Sequence, residues 1–213
     1  MNKEEFIIEL NKIGINPTDE QLSQLEKYYN LLINWNEKIN LTRITLKEDV
    51  YLKHFYDSLT IAKVVDLNTK NSLLDFGTGA GFPGLVLKIF YKDLKVTLVD
   101  SLNKRIVFLN EVIKELNLKD IEAIHERVEN INNNHYDVIT TRAVANLKQL
   151  VIWTNKLIDK NTLFIPLKSH VDNEINDAKQ ILKKYKLSII KKEEFNLPKE
   201  DSLRNILVIK KTP

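Results

Sequence analysis

Leu73-Leu74-Asp75-Phe76-Gly77-Thr78-Gly79-Ala80-Gly81-Phe82-Pro83-Gly84 holds four of the five glycines in this 213-residue chain. An apolar run stops at an acidic residue, glycine then recurs at every second position, and Pro83 stands where a helix can begin. That order reads as strand, tight turn, helix. Glycine lets a turn take positive φ and lets a ligand approach the main chain without meeting a Cβ, while the following helix N-terminus offers unpaired N–H groups. The segment is expected to seat a ligand.

Two cofactor classes compete for such a loop. Read from Gly79, the segment Gly79-Ala80-Gly81-Phe82-Pro83-Gly84 satisfies the G-x-G-x-x-G dinucleotide pattern of an NAD-dependent oxidoreductase, with Asp100 at about the expected 20 residues further on. Read from Asp75, it is D-x-G-x-G-x-G, the arrangement typical of enzymes using S-adenosylmethionine. A carboxylate at Asp75 repels a pyrophosphate but favours an ammonium group, directly or through water, so local charge supports the second register.

Beyond Asn71 strands and helices alternate. Strand one ends at Asp75 and a helix follows over residues 83–91. A strand over 95–99 ends at Asp100, followed by a helix at 102–116, strands at 121–124 and 136–140, and a helix at 147–157. A strand at 162–166, a helix at 171–185, and strands at 187–191 and 203–209 complete the series, the last two expected to pair antiparallel at an edge. Asn132-Asn133-Asn134 reads as a loop. The fold class is α/β, a Rossmann-like, mostly parallel seven-stranded sheet with helices on both faces.

Before this domain, at 67–213, residues 1–66 read as an N-terminal helical cap packed with it as one unit. Phe6, Ile7, Leu10 and Ile13 keep helical spacing up to Gly14. Thr18 and Gln21 form a capping box ahead of an apolar stripe from Leu22 to about Trp35. A third helix is expected over 47–65.

Hydrophobic content of 43% and charged content of 29% are those of a soluble globular protein, and no apolar run approaches the length of a membrane span. The first residues, Met1-Asn2-Lys3-Glu4-Glu5, do not resemble a signal peptide, so a cytoplasmic location is expected. The absence of cysteine excludes disulfides, thiolate metal sites and covalent activation of a pyrimidine ring for carbon methylation. Net charge is +3 and the pI about 8.8, which permits RNA without demanding it. Only five of the 32 basic residues are arginine (Arg43, Arg105, Arg127, Arg142, Arg204), making each a candidate for a planar, bidentate contact.

Ligands of open parallel sheets bind outside the carboxyl ends of the strands. Those ends present Asp75 with the glycine loop, Asp100-Ser101, Glu126-Arg127-Val128-Glu129, Thr141-Arg142 and Lys168. Asp100 has two acceptor oxygens for a pair of ribose hydroxyls, a role compatible with capping the next helix. Residues 126–129 read either as an adenine seat walled by Val128 or as a charged turn. His54 and Asp57, at i and i+3, form an acid/base pair, a substrate clamp or a packing arrangement. His125, His135 and His170 lack metal-ligand spacing, and H-E-x-x-H and G-x-S-x-G are absent, so no metal site is expected.

These residues together resemble the bacterial glucose-inhibited division protein B family, which methylates a guanine N7 in small-subunit ribosomal RNA. The likeness covers most of the chain: Asn40-Leu41-Thr42, His54 with Asp57-Ser58-Leu59, the loop from Asp75 to Gly84, Asp100-Ser101 with Lys104-Arg105 and Phe108-Leu109, Arg127-Val128-Glu129, Arg142-Ala143, and Leu167-Lys168. The resemblance implies a class I S-adenosylmethionine-dependent methyltransferase. Gly77, Phe82, Val128, Glu129 and Arg142 would contact the cofactor, Gly79 and Gly81 would shape its loop, and Asp100 with Ser101 would lie at the ribose.

The likeness further implies that Arg43, His54 and Lys168 border the entry of the base, with Arg142, His54 and Lys168 as the candidate catalytic residues. The implied partner is small-subunit ribosomal RNA or an assembling 30S subunit, met by a monomer. Val86 and Ser169 depart from the family pattern, where proline and glycine are usual. The chemistry agrees on separate grounds. The chain has no N/D-P-P-Y/F segment after strand four, whereas guanine N7 carries a free lone pair and needs no general base. Another RNA methyltransferase and a non-catalytic RNA-binding module remain alternatives.

Overall fold

The computed structural model describes residues 1–132 and 135–212, so two residues of the expected loop at 132–134 lie outside the described residues. Seven strands form one sheet: β1 (Ser72–Phe76), β2 (Lys95–Asp100), β3 (Ile121–His125), β4 (Val138–Arg142), β5 (Leu163–Lys168), β6 (Leu187–Asn196) and β7 (Leu203–Lys211). Their order is β3-β2-β1-β4-β5-β7-β6. The first five run parallel, while β7 pairs antiparallel with both β5 and β6. Order reverses between β1 and β4, and the carboxyl ends of these two strands bound the crevice in which such sheets bind ligands.

The period-2 alternation of the strands separates two cores. Leu73, Val96 and Leu98 point into a cluster with α5 (Gly84–Phe90), α6 (Asn103–Glu115) and the N-terminal helices. Leu74, Phe76, Val99 and Ile139 point into a second, with α7 (Leu147–Thr154) and α8 (Asp172–Lys184). Strand β6 lies at an edge and carries Lys191, Lys192, Glu193 and Glu194, charges that discourage pairing with another chain.

Helices α1 (Lys3–Lys12) and α2 (Asp19–Ile39) are each closed at the start by a reciprocal capping box, Asn2 with Glu5 and Thr18 with Gln21. Helix α2 also satisfies carbonyls that helix ends leave without intrahelical partners. Gln21 donates to Ile89 and Phe90 at the end of α5, and Gln24 donates to Leu116 at the end of α6. Phe6, Leu25 and Tyr28 join Leu85 and Phe108 in a single cluster, so the N-terminal helices share their core with the sheet.

Among the expected elements whose bounds differ from the structure, two bear on the site. The helix expected over 47–65 is broken into α3 (Lys47–Val50), a π-helical turn (Tyr51–Tyr56), α4 (Asp57–Leu59) and a 3-10 turn (Thr60–Lys63). In the wide turn the N–H of Asp57 reaches the carbonyl of Leu52 as well as that of His54, while the Lys53 carbonyl accepts from Arg142. Strand four lies two residues later than expected, because Thr141 and Arg142 continue the ladder against Pro166 and Leu167. The Thr140 and Thr141 hydroxyls are satisfied within the sheet by the carbonyls of Ile165 and Phe76.

Candidate active site

The glycine loop is tied from below by Asp75. Its Oδ2 accepts from the Thr78 hydroxyl at 2.6 Å and from the Gly84 N–H at 2.8 Å. Asp75 has no exposed surface, and a Cβ on Gly84 would press against both Leu98 and Asp75. Of the two expected routes from Asp75 to an ammonium group, directly or through water, the direct one is closed: one oxygen holds the turn together and the whole group lies beneath it. Oδ1 is buried without a hydrogen-bond partner among the described residues. Burial pushes the carboxyl up to about 7, against the opposing hydrogen bonds from Thr78 and Gly84.

Gly77, Gly79 and Gly81 all have positive φ, of 61°, 62° and 100°. At Gly77 a side chain would collide with Val144. Above the loop, Asp100 is 2% exposed and its Oδ2 accepts the Gly79 N–H at 2.9 Å. Oδ1 accepts the Leu102 N–H at 2.9 Å, which fixes the turn before α6 but does not cap it, because the N-cap residue is Leu102 and no side chain caps that helix among the described residues; Arg105 bonds to both oxygens. A carboxylate has about four acceptor positions, so each oxygen keeps one beyond its backbone donor, the one that Arg105 shares.

Gly77, Asp100, Ser101, Val128, Glu129 and Trp153 line a cavity of about 260 Å³. The turn at 128–130 that closes it is shaped by Glu126, whose Oε1 accepts from the Arg127 N–H and from Asn130. Its wall is apolar at Val128 and Val144 and acidic at Asp100 and Glu129. Phe76 and Val99 supply its floor.

A second cavity, of about 430 Å³, opens across the chain segment that follows β4. It is lined by His54, Asp57, Arg142, Lys168, Glu174 and Arg204. Ala143 faces this cavity and Val144 the first, and Ala143 takes a left-handed φ of 55° at the crossing.

Arg142 organises the second cavity. Its Nη1 donates to the Lys53 carbonyl at 2.9 Å and to Asp57 Oδ2 at 2.9 Å, and its Nη2 lies 3.0 Å from His54 Nδ1. Asp57 Oδ1 accepts from Arg204 Nε at 3.1 Å. The His54 ring stacks on Phe82 at 4.4 Å between centroids, and its Nε2 lies 2.9 Å from the Thr42 hydroxyl. Burial, reinforced by the Arg142 charge, pushes His54 down to about 3, so it is neutral at physiological pH.

The residues expected from sequence therefore separate. Gly77, Asp100, Ser101, Val128 and Glu129 come together at the first cavity; His54, Arg142 and Lys168 at the second. The expected cofactor contact by Arg142 is not carried by the first cavity, because the guanidinium is turned toward Asp57. Phe82 is only 5% exposed, held between Tyr28 and His54 with the Arg142 guanidinium over its ring, and supports the loop from inside. Arg43 is exposed beside Thr42 and Ile44 and lines neither cavity. His54 and Asp57 are not a direct pair; Arg142 bridges them.

Sequence reasoning missed Glu174 and Trp153 and gave Arg204 no place. Glu174 lies in the first turn of a surface helix, where acidic residues are ordinary, and Arg204 sits in an edge-region strand far along the chain. Tyr28 is a further missed support: its hydroxyl donates to the Ala80 carbonyl within the loop.

The sequence matches the family described as "GidB: rRNA small subunit methyltransferase G" over residues 21–203. Ribosomal RNA small subunit methyltransferase G of Bacillus subtilis (strain 168) is 46% identical over 217 aligned positions, covering 99% of this chain and 91% of that protein. The protein of the same name from Listeria monocytogenes serovar 1/2a is 40% identical over 100% and 92% of the two chains. Among solved structures, the mitomycin 7-O-methyltransferase MmcR is similar with a TM-score of 0.62 at 11% identity, over 92% of this chain and 69% of that one. A SAM dependent methyltransferase from Aquifex aeolicus gives 0.56 at 17% identity, over 75% and 92%. Both likenesses concern the fold.

Proposed function

The chain belongs to the rRNA small subunit methyltransferase G family, and on that premise we propose that it methylates N7 of one guanine in small-subunit (16S) ribosomal RNA, using S-adenosylmethionine. The observation that carries this reading is the pair of cavities on either side of the Arg142-Ala143-Val144 crossing, one suited to a nucleoside and one to a base. We further read residues 67–213 as the methyltransferase domain and residues 1–66 as the substrate-side cap. The protein acts as a monomer in the cytoplasm, on ribosomal RNA or the assembling 30S subunit; no helix among the described residues is long and apolar enough to cross a membrane.

The residues at the first cavity fit S-adenosylmethionine. Gly77 keeps a cradle that a Cβ would fill, Val128 offers an apolar wall for adenine, and Asp100 lies where ribose hydroxyls would take over the acceptor positions that Arg105 now shares. Ser101 and Glu129 add polar partners at the rim. Gly79 and Gly81 hold the turn open, while Asp75 and Phe82 fix it from beneath. When bound, the cofactor supplies a methyl carbon on a positively charged sulfur, which keeps the electron pair of the broken bond.

Guanine N7 attacks through its own lone pair, so no proton is removed beforehand. The neutral His54 is consistent with this, since it acts as a shaped wall against Phe82 rather than as an acid. Arg142 and Lys168 position the base side, and Arg43 stands outside as a phosphate contact. Catalysis is then mainly alignment, in which a base held against a prepared cofactor gains effective concentration. N7 faces the deep, narrow major groove of A-form RNA, so the target guanine lies in a loop, bulge or opened segment. The direct test is transfer of labelled methyl to unmethylated small subunits with the modified atom identified. Absence of transfer to both subunits and stripped RNA would reject the proposal.

A further inference from the structure

Lys168 and Glu174 form an ion pair at the rim of the second cavity, Nζ to Oε2 at 2.8 Å, with side chains 10% and 27% exposed. Their hydrogen-bonding capacity is only partly used. Lys168 has three donors, and among the described residues two are spent, on Glu174 and on the Ala145 carbonyl at 2.6 Å. Glu174 Oε2 accepts from Lys168 and from the Leu147 N–H at 2.7 Å, which leaves Oε1 without a partner among the described residues. The pair is fixed from both sides by backbone groups of the segment that separates the two cavities. It presents one free donor next to one free acceptor.

We infer that Glu174, paired with Lys168, selects guanine by accepting its N1–H while Lys168 donates to its O6. This rests on the reading of the second cavity as the base site and names the residues that choose the base. Guanine carries an acceptor, O6, beside a donor, N1–H. Adenine reverses the order, with an amino donor beside an N1 acceptor, so it would place lone pair against carboxylate and amine against ammonium. Discrimination then comes from mismatched polar groups, the most effective kind available to a binding site. Methylation at N7 puts positive charge on the purine and strengthens N1–H as a donor. The Glu174 contact therefore tightens as the bond forms and contributes to the transition state.

The test uses the full-length enzyme on small-subunit RNA assembled by ligation, with guanine, inosine or 2-aminopurine at the methylated position once the wild-type product has located it. Inosine keeps O6 and N1–H; 2-aminopurine has neither but keeps N7. Wild type is expected to methylate inosine nearly as well as guanine and 2-aminopurine about 10- to 100-fold less well in kcat/KM. Glu174→Gln is expected to lower kcat/KM on guanine while leaving 2-aminopurine little changed, closing most of that gap. A purely structural role would lower all three substrates together and keep their ratios, and that result overturns the inference. Equal wild-type rates on guanine and 2-aminopurine would overturn it as well. If the wild-type enzyme forms no N7 product on guanine, the proposed function itself fails, which is a separate outcome.

Discussion

Arg142, at the end of β4, donates to Asp57, 85 residues earlier in the chain, at 2.9 Å, with side chains 14% and 5% exposed. This pair joins the N-terminal helical segment to the strand end beside which both cavities open. The remaining Asp57 oxygen is held by Arg204, so one buried carboxylate balances two guanidinium groups. Removing one member of a buried pair leaves the others uncompensated. Asp57→Asn is expected to cost about 3–5 kcal/mol of stability and most of the methyl transfer. Urea unfolding checks the first, and an unchanged midpoint would show that the pair holds nothing together.

Gly77→Ala places a Cβ against Val144 at a left-handed φ, at the wall of the first cavity. Left-handed backbone costs a non-glycine residue roughly 1–2 kcal/mol, and the intruding methyl narrows the proposed cofactor seat. Affinity for S-adenosylmethionine is expected to fall by about tenfold or more, measured by calorimetric titration. An unchanged Kd would remove Gly77 from the cofactor site.

Cofactor choice has its own readout. S-adenosylmethionine at about 100 times its Kd stabilises a protein by roughly 2.7 kcal/mol, so Tm is expected to rise by several degrees, whereas NAD should leave it unchanged. A shift with NAD alone would return the loop to its dinucleotide register.

His54 predicts an acid-sensitive stability. Its folded pKa is lowered from 6.5 to about 3, so between these values the unfolded chain binds the proton and the folded one does not. The contribution of the neutral ring is complete above pH 6.5 and is lost as pH falls toward 3. Asp75 acts in the opposite sense: its pKa is raised to about 7, so the folded state takes up the proton first and gains stability as pH falls from 7 toward 4. Comparing wild type with His54→Gln at pH 7.5 and pH 4.5 isolates the histidine. The variant is expected to lose less stability on acidification, measured by urea unfolding, and equal losses would contradict the assignment.

Some of this is legible in the sequence alone. Gly77, Gly79 and Gly81 announce their turn because only glycine takes positive φ in succession at no cost, and Asp100 stands at a strand end that the apolar run defines. Residues whose roles depend on distant partners were harder to see. Nothing near Tyr51–Tyr56 signals a π-helical turn, whose Lys53 carbonyl is met by Arg142 from 89 positions away. Asp75 reads as a ligand contact because its sequence position says nothing about depth, yet the Thr78 and Gly84 bonds draw it under the loop. Glu174 carries no motif at all, and only the meeting of α8 with the end of β5 places it beside Lys168.

The most direct measurement incubates unmethylated small ribosomal subunits, and their stripped RNA, with methyl-labelled S-adenosylmethionine, followed by strand scission selective for N7-methylguanine. The account predicts incorporation of label and one new cut at a single guanine. Label without a cut would contradict the N7 assignment, and no label on either substrate would contradict the methyltransferase itself.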